Sequence, residues 1–188
     1  SVTATVTTRD DNPPSNGNVY YVSTTGRDAN DGRSTGAAWA TLQKAANTVA
    51  AGDRVKIMPG TYTASAARCS ISNKSGTPTA YITVEAYNPS DEPVLDYGDT
   101  NGFSLQNSSY WRFSHLKMQN FAVGFYYYYD SSYNIVEYCT LTGSPSALGS
   151  VHAMQTRSAL TTPARTHFCI GEIVRYCTIT RSSSSVTA

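Results

Sequence analysis

The stretch NIVEYCTLTGS, Asn134 to Ser144, returns almost unchanged as EIVRYCTITRS, Glu172 to Ser182. A looser copy lies in YWRFSHLKMQN at 110–120. Aligned on the phrase, Phe113, Val136 and Val174 correspond, as do Leu116, Cys139 and Cys177, and Met118, Leu141 and Ile179. The steps are 23 and then 38 residues, the second being one 23-residue unit plus an insertion of 15 drawn from Ser144–Phe168. A unit this short cannot bury its own apolar side. Consecutive units must stack and share one core, which is the logic of a solenoid. Short strands at such a period stack as parallel sheets.

The rest of the chain fits that plan. VYYVS from Val19 reads as a strand, and GRDANDGRSTG as a turn-rich loop. In WATLQKAANTVAAG, Leu42, Ala45, Ala46 and Val49 recur at helical spacing, with Gly52 as the expected stop. DRVKIMPGTY predicts a strand from Arg54 to Met58, and YITVEAY another over 81–87. Ahead of these, residues 1–18 combine a β-branched stretch, VTATVTT, with the linker DDNPPSNGN.

The Val19–Tyr62 stretch, through YYVS, GRDANDG, W-TLQKAAN, AGD-V and PGTY, resembles the N-terminal end of right-handed parallel β-helix proteins of the pectate-lyase-like superfamily. The N-x-V-E-x-C-T-L phrase is similar to that family's coil repeat. The resemblance implies an all-β fold, a right-handed parallel β-helix of about four to five coils. An N-terminal α-helix would cap it, and an extended strand arm would precede it. The expected organisation is an arm and linker over 1–18 and a β-helix domain over 19–188. Within that domain, 19–62 holds the first strands and capping helix, and 63–188 the coils, with an insertion near 145–169. The superfamily spans lyases, hydrolases and non-enzymatic proteins, so fold does not fix activity.

Candidate site residues follow from alternation along the strands. Trp111, Phe113, Leu116 and Met118 are expected inward, and Arg112, Ser114, Lys117 and Gln119 outward. Glu137 and Arg175 fall in one outward column on neighbouring coils. One reading is an ordinary surface ion pair. The resemblance implies another, in which Lys117 is the base of a polysaccharide lyase, Arg175 neutralises an enolate and Glu137 helps hold calcium. Asp28, Asn30 and Asp31 carry the oxygens of a partial calcium loop, although a tight Asp/Asn/Gly turn needs the same residues. Apart from calcium, no cofactor is implied. The tyrosine-rich FYYYYD, Phe125–Asp130, is expected in a turn, either shielding a loop or stacking on sugars or another subunit. Cys69 and Cys169 are expected in loops and are disulfide candidates, while Cys139 and Cys177 should stack inward. His115, His152 and His167 are scattered, and Asn73 and Asn107 open glycosylation sequons.

Composition narrows the partners. A net charge of +1 with 14% charged residues leaves no basic face for nucleic acid, and no apolar run is long enough to span a membrane. The abundance of Ser, Thr and Tyr with an even four cysteines suits an extracellular or cell-surface protein. Two functions stay open. The last coil phrase is followed by little that would cap it, which predicts a structural subunit that self-assembles head to tail into a fibre. Its arm residues Val2, Thr3, Ala4, Thr5 and Val6 would then add as a strand to a neighbouring copy. The alternative is a secreted polysaccharide lyase or glycoside hydrolase acting on acidic polysaccharide, or a fragment of one.

Overall fold

The computed structural model describes residues 17–143, 155–156, 173–175 and 177–181. The arm residues Val2–Val6, Cys169, His152 and His167 lie outside these. The chain opens with β1 (Val19–Val22) and α1 (Leu42–Thr48). Three successive coils follow, each of three strands. The first is β2 (Arg54–Ile57), β3 (Thr61–Tyr62) and β4 (Cys69–Ser72), with the short α2 (Ala64–Ala67) between the last two. The second is β5 (Ile82–Ala86), β6 (Val94–Thr100) and β7 (Phe103–Gln106). The third is β8 (Trp111–Ser114), β9 (Lys117–Phe121) and β10 (Phe125–Tyr128). Then come β11 (Ile135–Glu137), β12 (Thr140–Gly143), β13 (Gln155–Thr156), β14 (Ile173–Arg175) and β15 (Thr178–Arg181).

Like strands of successive coils pair in parallel and form three sheets. Sheet A runs β1-β2-β5-β8-β11-β14-β13, sheet B runs β15-β12-β9-β6-β3, and sheet C runs β10-β7-β4. The repeat read from sequence is the register of these sheets. Phe113 pairs with Val136 and Val136 with Val174, while Met118 pairs with Leu141 and Leu141 with Ile179. Because the side-chain period is two, this register stacks like on like inside the coil. Cys69, Phe103 and Phe125 form one interior column, and the Phe103 and Phe125 rings stack at 5.4 Å. Each such buried ring contributes about 1.5–3 kcal/mol.

The corners are turned by left-handed residues. His115 (φ 55°) separates β8 from β9, and Tyr138 (φ 52°) separates β11 from β12. Their rings stack at 4.9 Å. At the exit from sheet C, Asn73 and Asn107 hold the same conformation on adjacent coils, and Asn107 Nδ2 donates to Asn73 Oδ1 at 3.1 Å. Asparagine tolerates this region better than most residues, and the side-chain ladder offsets the remaining cost.

Several expectations need correction. The first four residues of FYYYYD are a strand and only Tyr129 and Asp130 lie in the bend after it: β10 turns Phe125 and Tyr127 inward and leaves Tyr126 exposed, with Tyr128 half-buried. Cys69 is not in a loop. It opens β4 as a buried free thiol whose Sγ faces the Leu42 carbonyl at 3.7 Å. α1 stops at Thr48 because Val49 is already extended, so Gly52 (φ 87°) serves the turn into β2 instead. The capping role of α1 holds, with Leu42, Ala45 and Ala46 buried against the first coil. No helix among the described residues is long and apolar enough to cross a membrane.

Candidate functional site

The residues singled out for lyase chemistry are divided between two sheets. Glu137 and Arg175 are register partners on β11 and β14 of sheet A. Lys117 starts β9 in sheet B, beyond the His115 corner, and its Nζ lies 4.0 Å from Glu92 Oε2. Glu137 was expected outward and exposed, yet it is only 1% exposed. Arg112 Nε donates to its Oε1 at 2.6 Å, and a second guanidinium nitrogen completes the ion pair. Arg112 sits one coil back and two residues along the strand, a diagonal that a column-by-column reading passes over. Farther along the same face, Arg54 and Lys56 both reach Glu85 at 3.3 Å. The outer face of sheet A is therefore a lattice of matched charges.

Calcium does not fit these groups. It needs several oxygens free to converge, and Glu137 is committed to Arg112. The GRDANDG loop is equally committed. Asp28 accepts from the Ala40 and Thr41 N–H groups at 2.9 and 3.0 Å and from the Thr41 hydroxyl at 2.7 Å. Asp31 accepts from the Arg33 N–H at 2.9 Å, and Asn30 Nδ2 donates to the Ala38 carbonyl at 2.9 Å. These bonds make the loop a structural turn that positions the start of α1. No metal-binding group of three His, Cys, Asp or Glu side chains occurs among the described residues.

Sheet C carries the feature with the shape of a binding site. Strand alternation puts Ser70, Ser104 and Tyr126 in one outward column, and Ser72, Gln106 and Tyr128 in the next. α1 and α2 rise beside the sheet and enclose an open cleft of about 370 Å³. Its polar walls come from Gln43, Ser65, Arg68, Ser70, Asn101 and Ser104, and Tyr128 also lines it, its ring packed near those of Tyr126 and Tyr129 at 5.0 and 5.4 Å. Arg68 extends from the C-terminal cap of α2 and has no carboxylate partner among the described residues. No Asp or Glu lines the cleft. Gly102 lets the chain turn tightly into β7, since a Cβ there would lie 2.4 Å from the Gly124 carbonyl oxygen.

Hydroxyls, amides, one guanidinium and an aromatic face form the donor and stacking set that polyhydroxylated rings engage. Sequence reasoning missed Gln43, Arg68, Ser70, Asn101 and Ser104 altogether. Each is an ordinary polar residue, and only the winding of the coil gathers them. The tyrosine run was the one visible signal, and of its residues Tyr128 lines the cleft.

Comparison with known proteins identifies the fold. A rhamnogalacturonan lyase structure aligns with a TM-score of 0.53 at 21% identity, over 87% of this chain and 51% of its own. The pectate lyase Pel9A structure aligns with a TM-score of 0.57 at 22% identity, over 86% and 47%. A GH136 lacto-N-biosidase from Eubacterium ramulus aligns at 0.50 and 16% identity, over 89% and 35%. The chain thus spans about half or less of the length of these structures, and at such identities the likeness is one of fold. No curated relative matches the sequence. The family model described as Pel9A-like, right-handed β-helix region, matches residues 20–162, so the chain belongs to that family.

Proposed function

We propose that this chain is the glycan-holding part of a secreted, carbohydrate-acting β-helix protein of the polysaccharide-lyase type, and that the cleft on sheet C binds the saccharide. The observation that carries this reading is the cleft itself. Its lining is polar, it is open at the surface, and the half-buried aromatic Tyr128 lines it together with hydroxyl and amide groups. The fibre reading has less support, because the structural neighbours are named as carbohydrate-acting enzymes.

The chemistry of the cleft suits binding and charge neutralisation. A β-elimination beside a uronate carboxyl needs a cation on that carboxyl and a base on the adjacent carbon. Arg68 supplies a permanently charged guanidinium for the first task. The cleft lining contains no carboxylate, histidine or lysine for the second. Lys117, Glu137 and Arg175 sit on the other two sheets, so they are not adopted as its catalytic set.

The test is affinity electrophoresis of the purified chain in gels containing pectate, rhamnogalacturonan or a neutral glucan, beside Tyr128→Ala and Ser104→Ala. Retardation by at least one polysaccharide, lost in the Tyr128 variant, supports the reading. Equal mobility in every gel, or retardation that both variants keep, overturns it. Absorbance of unsaturated uronates after incubation with each polysaccharide shows whether this chain also cleaves what it binds.

A further inference from the structure

Resting on the glycan-binding reading, we infer that the sheet C cleft selects a glycan carrying an isolated carboxylate among neutral sugars and discriminates against a dense polyanion, with Arg68 as the residue that reads the acid. The cleft holds one charged side chain. Gln43, Ser65, Ser70, Asn101, Ser104 and Tyr128 around it are neutral. One guanidinium matches one carboxylate in a charge-assisted, bidentate geometry. A second or third carboxylate along the same glycan would face amides, hydroxyls and a phenol ring. It would lose hydration with no cation to compensate.

The surrounding charges do not make up the deficit. Arg54 and Lys56 share Glu85, Arg112 holds Glu137, and Lys117 lies beside Glu92, all on sheets A and B. Lys74, the cation at the far end of β4, donates to the Asn47 and Val49 carbonyls at 2.8 and 2.9 Å. Lys44, beside Gln43 on α1, lies over the Trp39 ring at 5.9 Å, so the lining of the cleft itself offers a polyanion the single charge of Arg68. The neighbouring outward residues on that sheet, Ser72, Gln106 and Tyr126, add neutral donors and another exposed ring. Such a platform rewards ring stacking and hydroxyl bonding at every sugar and charge at one.

The experiment measures affinity for one galacturonan backbone prepared at graded methyl esterification, from fully acidic to fully esterified, using wild type, Arg68→Ala, Arg68→Lys and Tyr128→Ala. Circular dichroism verifies that each variant keeps its fold. Wild type should bind the sparsely acidic preparation roughly tenfold more tightly than either extreme, the worth of one charged hydrogen-bonded pair. Arg68→Ala should bind the sparsely acidic and fully esterified preparations equally, Arg68→Lys should keep part of the preference, and Tyr128→Ala should weaken all three. Affinity that climbs steadily with acid content in wild type, or a preference that survives in Arg68→Ala, overturns the inference while leaving the glycan-binding reading intact. Binding to none of the preparations and to none of the polysaccharides named above overturns both.

Discussion

Gln43 pairs with Ser70 as though it were a strand. The Ser70 N–H donates to Gln43 Oε1 at 2.8 Å, and Gln43 Nε2 donates back to the Ser70 carbonyl at 2.9 Å. β4 is an outer strand of sheet C, so its unpaired backbone groups would otherwise meet solvent or another chain. One side chain on α1 thus closes the sheet edge and forms part of the cleft wall. Gln43→Ala should lower unfolding free energy by about 0.5–1.5 kcal/mol, the net worth of an ordinary hydrogen bond whose freed partner can turn to water. Urea denaturation checks this, and a variant as stable as wild type would show that the amide pairing is dispensable.

Tyr97 lies on β6 with its ring fully buried and its hydroxyl without a hydrogen-bond partner among the described residues. Burial pushes the phenol pKa well up, and the Cys69 and Cys139 thiols add to the effect. Tyr97→Phe removes a dehydrated hydroxyl and keeps the ring, so stability should rise by about 1 kcal/mol. A fall in thermal midpoint would mean that the hydroxyl has a bonding role.

Asp96 shows the opposite behaviour at the surface of sheet B. Gln119 Nε2 donates to its Oδ2 at 2.8 Å, Asn120 Nδ2 reaches both oxygens at 3.1 Å, and the Gly98 N–H donates at 3.2 Å. The Gln119 bond foremost holds the carboxyl below its ordinary value; burial, the next largest effect, opposes it, and the bonds from Asn120 and Gly98 add to the lowering. A folded pKa below the unfolded one stabilises the fold above the unfolded pKa, and that contribution is lost as pH falls through the folded value. Asp96→Asn should therefore show a shallower loss of stability than wild type on acidification below about pH 4. Parallel acid titrations of the two proteins would contradict the assignment.

Cys69 borders the cleft yet is only 4% exposed, and burial pushes its thiol pKa up to about 12. Thiolate is the reactive form, so native Cys69 should resist iodoacetamide at pH 8 and react once urea unfolds the chain. Rapid labelling of Cys69 in the native protein, located by peptide mass mapping, would contradict the packing of β4 against α1.

How far the sequence could be read depends on which sheet is considered. The strands of sheets A and B were legible where apolar positions alternate with polar ones, as in NIVEYCTLTG and YWRFSHLKMQN. Sheet C was not. CSIS and FSLQ are four residues long, too short for a period to show, and FYYY is aromatic at inward and outward positions alike. The path of the chain, and not any local preference, decides which tyrosines face the core. The same limit hid the pairing of Glu137. Alternation gives the face a residue lies on, but the partner is fixed by side-chain reach along a diagonal between coils. Arg68 had no signal in the sequence, because only the winding of the chain brings it to one cleft with Ser70, Asn101 and Ser104.

Hydrogen–deuterium exchange with and without an oligosaccharide decides whether glycan lies on sheet C. Exchange should slow in peptides covering 64–72, 101–106 and 125–128, with peptides over 54–57 and 82–86 unchanged. Protection confined to those sheet A peptides would place the ligand on the charge lattice instead and overturn the proposed site.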